Sequence, residues 1–214
     1  MKTAFTSRTA TRIKDGRVQP KNRNRPTGHD GCVIDRRSPG RGCRHVVTKS
    51  DLQAFIGIIP EWPRFSERLE RIVLAARDES ADGFHEFYHQ DETGAITLNA
   101  WSDDLWIELT PAYFADHKSL FGQLGVTVSP GKLGTICHFT EAQARAFMLL
   151  HVFMHELGHH FDRIHQKHRR TTKGEDYAEQ FANSRFEVLF PRYISVFGDP
   201  SNGANKPKQK GVVQ

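Results

Sequence analysis

His155, Glu156 and His159 spell H-E-x-x-H inside the stretch His151-Val152-Phe153-Met154-His155-Glu156-Leu157-Gly158-His159-His160-Phe161-Asp162. On a helix of 3.6 residues per turn, positions i and i+4 project from nearly the same side, so the two imidazoles can converge on one metal ion. Glu156 then stands about 100° round the axis, beside that ion. Two neutral nitrogen ligands and a carboxylate able to take a proton from metal-polarised water are the parts of a hydrolytic zinc site.

Two histidines alone make a weak site, and a third protein ligand is needed. Asp162 lies about 20° from His155 around a regular helix. It is nearly two turns from His155 along the axis, which suits an outer role better than ligation. His165 completes H-E-x-x-H-x-x-D-x-x-H, near the metzincin pattern, with aspartate where that pattern has glycine. The methionine turn of that pattern is missing downstream, because Met1, Met148 and Met154 all precede His159. Glu175 is the preferred ligand, with Asp176 as its fallback. It opens Glu175-Asp176-Tyr177-Ala178-Glu179-Gln180-Phe181-Ala182, whose apolar spacing predicts a helix that can pack on the first. Glu179, one turn later, can accept the spare N–H of a ligating histidine and fix its tautomer. In the competing arrangement Glu175 merely closes a capping box with Thr172.

The elements that must position these groups follow from periodicity. Thr140 with Gln143 three residues on starts a long helix, and Ala142, Ala146, Phe147, Leu150, Phe153, Met154, Leu157 and Phe161 are apolar around most of its circumference. Such a helix is buried in the middle of a domain. It is expected to fray near Gln166 to Arg169, with a loop to Gly174 before the last helix, which Pro191 ends. Upstream, a helix starts at Ser50-Asp51. A second is expected from Phe65, Leu69, Ile72, Val73 and Ala76, which recur at three and four residues. Residues 84–89 and 95–101 read as a hairpin about Asp91-Glu92-Thr93-Gly94, with a third strand at 105–109. Thr110-Pro111 opens a helix running to Gly125, and 126–128 and 135–139 read as short strands. The remaining histidines, His85, His89, His117 and His138, have no ligand spacing with one another.

Over Thr140 to Leu189, H-E-L-G-H-x-x-D followed by E-x-x-A-E-x-F-A resembles the gluzincin metallopeptidases, and among them most the anthrax-lethal-factor-like catalytic domains. The resemblance rests on His155, Glu156, Gly158, His159, Asp162, Glu175, Ala178, Glu179 and Phe181. It implies an α+β, zincin-like domain, with a small, mostly antiparallel sheet packed on the H-E-x-x-H helix and on a following ligand-bearing helix. It implies one Zn2+ held by His155, His159 and Glu175, Glu156 as general base, and hydrolysis of peptide bonds in a protein or peptide substrate. Those domains place a tyrosine seven residues before the ligand glutamate to stabilise the oxyanion. This chain has His168 there, which can donate the same bond, with Tyr177 and Tyr193 as alternatives. The rival expectations are a zinc-binding module that does not cleave, and a metzincin-like site using His165.

Charge is unevenly spread. Residues 1–50 hold 13 Lys or Arg against Asp15, Asp30 and Asp35, whereas the rest holds 17 basic and 22 acidic residues. The sequence pI of 9.2 thus belongs to the first segment. Residues 1–49 and 198–214 are expected to be disordered tails around a domain at 50–197, since neither tail offers enough apolar area to offset ordering. The basic tail could bind nucleic acid through phosphate neutralisation. His29, Cys32, Cys43 and His45 could make a small zinc clip, although their spacing matches no common finger. Three cysteines give no disulfide framework. With no apolar leader and no spanning run, a cytoplasmic protein without membrane contact is the expectation.

Overall fold

A computed structural model describes residues 13–14, 17–18, 31–166 and 171–203. The strands β1 (Ile13–Lys14) and β2 (Arg17–Val18) pair antiparallel. The architecture is α+β. Its main sheet is built from β3 (Val33–Arg36), β5 (Leu69–Ala75), β6 (Gly83–Tyr88) and β7 (Thr93–Asn99), in the order β3-β5-β7-β6. The pairs β3–β5 and β5–β7 are parallel, and β6 runs antiparallel along β7 as an edge strand. The sheet is therefore mixed, not mostly antiparallel as expected. Parallel pairs need crossovers, and the crossover from β3 to β5 carries α1 (Lys49–Ile58) and α2 (Trp62–Phe65).

Two expectations are corrected here. The helix expected over Phe65 to Ala76 is one short turn followed by β5. Arg68 at φ 61° breaks the helical path. Ile72, Val73, Leu74 and Ala75 are all buried. A strand covered on both faces is a continuous apolar run, and a run contains helical spacing by accident. The second correction is the domain boundary. Val33 to Arg36 join the sheet, β4 (Cys43–Arg44) pairs with β8 (Trp101–Ser102), and Val46 and Val47 are buried. The charges around them are accommodated at the rim, where Asp35 accepts from Arg71 at 2.6 Å. Residues 31–49 thus contribute strands and core side chains to the domain that was expected to start at residue 50.

The hairpin β6–β7 forms as expected, but its turn is residues 89–92, since Thr93 and Gly94 already pair with Tyr88 and Phe87. The strand β9 (Trp106–Leu109) leaves that sheet and pairs with β11 (Thr135–His138), itself paired with β10 (Thr127–Pro130). Between them runs α3 (Pro111–Leu124), capped by Thr110 and closed by Gly125 in the left-handed region.

The long central helix is interrupted twice. After the Thr140–Gln143 capping box, α4 (Glu141–Phe147) gives way to a π-helical turn, Met148–Phe153, then to α5 (Met154–Phe161) and a second π turn, Asp162–Gln166. Single π turns inside helices change the register of the faces beyond them and recur at functional sites. The last helix, α6 (Thr171–Phe197), begins earlier than expected and contains Pro191. Proline inside a helix costs about 3 kcal/mol. Here the helix is carried past it because Leu189 and Tyr193 are both buried, with Tyr193 edge-on to Phe55 of α1. A 3-10 turn, Pro200–Gly203, follows, with Pro200 buried, so ordered structure runs a few residues into the expected C-terminal tail. Among the described residues no helix is long and apolar enough to cross a membrane.

Candidate metal centre

The site is made by α5 and α6 crossing at close range. Gly158 sets that range: a Cβ there would stand 2.9 Å from Ala178 Cα and 3.0 Å from Phe181 Cβ. Phe161 and Phe181 pack at 5.8 Å and both meet Phe65 edge-on, which locks the crossing. The first turns of α6 then lie over the histidines of α5. Glu175 Oε2 is 3.5 Å from His155 Nε2 and 3.4 Å from His159 Nε2. All three ligand atoms lie within 4.8 Å of one another. A tetrahedral ion with ligands at 2.0–2.1 Å spaces them by roughly 3.3–3.4 Å. The residues present therefore fit zinc.

Tautomers agree with that fit. His155 Nδ1 lies 3.2 Å from Glu179 Oε2, a carboxylate that can only accept. Nδ1 thus carries a proton, and Nε2, which faces Glu175, is the nitrogen that a metal would take in place of a proton. Burial disfavours a charged His155, but hydrogen bonding to Glu175 and Glu179 and the nearby Glu156 outweigh it and push its pKa up to about 10. Burial likewise pushes Glu175 and Glu179 up, yet their histidine partners hold both well below the usual carboxylate range. A point that holds a proton this tightly is one where a cation is strongly favoured.

Glu156 is buried, and that burial raises its pKa against the pull of His159 and His155. The backbone N–H of His85 on β6 donates to its carboxylate, which places the base at the edge strand. Gly83 allows this approach, since a Cβ there would meet Val152 at 2.9 Å and Glu156 Cγ at 3.2 Å. Behind the site, His160 Nε2 is 2.8 Å from the Glu67 carbonyl and His160 Nδ1 is 3.1 Å from His85 Nε2. A carbonyl only accepts, so Nε2 of His160 is the donor, Nδ1 accepts from His85, and both rings are neutral. Burial lowers the pKa of His160 to about 4 and holds that of His85 well below the usual range.

The other candidates are placed elsewhere. His165 is exposed and turns its Nε2 to Glu67, at 3.5 Å. Asp176 is exposed and outside the ligand group. Asp162 is buried beneath Gly174, whose Cβ would stand 3.7 Å from its carboxylate. Tyr193 packs on α1, and Tyr177 sits beside Phe181, about 200° round α6 from Glu175. His168 and His29 lie outside the described residues, as does the side chain of Thr172. Cys43 donates to the Arg41 carbonyl and His45 contacts that of Arg37, so neither is turned to a shared ion.

Three further residues stand near the site. His151, π-turn partner of the motif, points Nε2 at Glu179 Oε2 from 3.9 Å, and burial drops its pKa to about 3. His117 of α3 reaches Glu179 Oε1 at 3.2 Å. Tyr113 stacks on His117 at 4.1 Å, and burial with the charges of Asp82, Glu179 and Glu156 raises its hydroxyl pKa, so it stays a donor. Spacing could not reveal His117 and Tyr113, because α3 reaches the site only through the tertiary fold, whereas His151 lies one turn before His155 and reads as a packed or outer histidine from the sequence. Comparison of the chain with protein-family models, with curated proteins and with solved structures finds no match.

Proposed function

We propose that the chain is a zinc-dependent endopeptidase with a zincin-like catalytic domain. The observation that carries this reading is the meeting of His155, His159 and Glu175 at tetrahedral ligand spacing, with the buried base Glu156 beside them. Bound zinc would lower the pKa of water towards neutrality and polarise the scissile carbonyl. Glu156, whose burial raises its proton affinity, takes the proton from the attacking water and delivers it to the leaving amine. Glu179 fixes His155 in the tautomer that presents Nε2. An extended peptide is received along β6, an edge strand of its sheet, by backbone pairing. The oxyanion is assigned to His168 on its spacing from Glu175, with Tyr113 as the described hydroxyl that shares the field of Glu156.

The test is a peptide-library cleavage screen with metal analysis on the wild type and on Glu156→Gln. The variant is expected to bind the same metal and to cleave about 10²–10⁴-fold more slowly. Undiminished cleavage by it would refute the assignment, whereas metal binding without cleavage by either protein would favour a binding module.

A further inference from the structure

On the far side of Glu179 from the proposed catalytic ion, His117 of α3, His151 of the π turn and Glu179 of α6 bring three more ligand atoms within 4.8 Å of one another. His117 Nδ1 lies 2.9 Å from the Tyr113 carbonyl, an acceptor only, so it carries the ring proton. Nε2 of a neutral His117 is then a bare lone pair, buried, 3.2 Å from Glu179 Oε1. Two electron-rich atoms at that distance repel unless a cation lies between or beside them. A proton on Nε2 is one answer, and it would help hold the pKa of the Glu179 carboxyl low, but the geometry is poor for it: at 3.2 Å Oε1 lies off the ring N–H direction, so no well-aligned hydrogen bond forms. At the same 3.2 Å, the bond from His155 Nδ1 to Oε2 of the same carboxylate is well aligned. Ligands of a metal ion behave like the first pair. They are neighbours whose lone pairs aim at a third point, not at each other. His151 Nε2 lies 3.9 Å from the other oxygen, Oε2, and completes a group of three candidate ligand atoms.

We propose that His117, His151 and Glu179 bind a second divalent transition-metal ion. Two imidazoles and a carboxylate suit Zn2+ or its Co2+ substitute. The ion would tie α3, the π turn and α6 together behind the catalytic site. It shares no ligand with that site, so each can fail alone.

The experiment strips the full chain with a chelator and titrates it with Co2+, following d–d absorption, with total metal by elemental analysis and folding by circular dichroism. A thiolate-to-metal band would report any binding by the cysteines. The wild type should take up two equivalents, and His117→Gln and His159→Gln one each. If the wild type takes one equivalent that His159→Gln abolishes and His117→Gln retains, a proton occupies the second point and the proposal is overturned, while the catalytic reading stands. One equivalent lost in His117→Gln and retained in His159→Gln overturns the catalytic reading alone. Should a variant fail to fold, two equivalents in the wild type support the second site, and a single equivalent that the remaining variant assigns to the His155–His159–Glu175 group overturns it.

Discussion

The two His-His-Glu groups on either side of Glu179 have the same donor chemistry and opposite settings. His155, His159 and Glu175 keep 17%, 18% and 29% of their side-chain surface exposed; in the second group only Glu179 is comparably open, at 32%, whereas its histidines His117 and His151 keep 7% and 5%. The first group has a base, Glu156, and an edge strand beside it. The second is walled by Tyr113, Phe121 and Phe147, whose rings stand against its imidazoles. An open position with a base suits reaction, and a closed one suits only holding. Donor set alone therefore does not tell the two groups apart; access and the neighbouring carboxylate do, and the proposed catalysis is assigned to the open group on them.

Breaking the open group should have the largest effect. Glu175→Ala is expected to lose the catalytic ion and all cleavage, whereas His165→Ala leaves metal content and rate unchanged; the reverse result in metal analysis would restore the metzincin-like arrangement. Glu156→Gln should cost about 10²–10⁴ in kcat, the usual worth of a positioned base, at unaltered metal content. Glu179→Gln tests the carboxylate common to both groups. It should weaken metal binding at the open site about 10–100-fold, the typical cost of losing an outer partner of a ligating histidine. A competition titration that finds the affinity unchanged would show that His155 needs no such partner.

How much of this could be read from the chain alone differs between the same two regions. The open group lies on consecutive helices, and helical spacing made His155, Glu156 and His159 legible, with Glu175 and Glu179 one crossing away. The closed group draws His117 from α3, and only the three-dimensional packing of α3 on the central helix brings it there. The π turn at Met148–Phe153 was also invisible, because a change of hydrogen-bond register leaves no trace in composition. β5 was misread because burial on both faces erased its alternation. β3 was missed because Val33 and Ile34 are diluted among arginines that stay at the rim.

Gly158→Ala should act on both groups through one contact. The added methyl would press on Ala178 Cα, which is backbone and cannot swing aside. Overpacking of this kind costs about 1–3 kcal/mol. Prising α6 from α5 should also lower metal affinity in step with the loss in Tm. A variant as stable as the wild type, with intact metal binding, would mean that the crossing is looser than the structure shows.

The smallest effect expected is an acid-dependent loss of stability from the histidine pair behind the open group. His160 is wholly buried and neutral, with its pKa lowered to about 4. In the unfolded chain it titrates near 6.5. The unfolded state therefore binds the proton first as pH falls, so the stabilisation is present above about 6.5 and is lost progressively towards 4. Between pH 7 and 5.5 the loss is about 1 kcal/mol. Other buried histidines add to it, including His85 and His151, so the quantity to measure is a difference. Subtracting the Tm–pH profile of His160→Gln, whose amide can still donate to the Glu67 carbonyl, from that of the wild type isolates the one ring. Parallel profiles would show that His160 is charged in the folded state, and its Nδ1 could then no longer accept from His85.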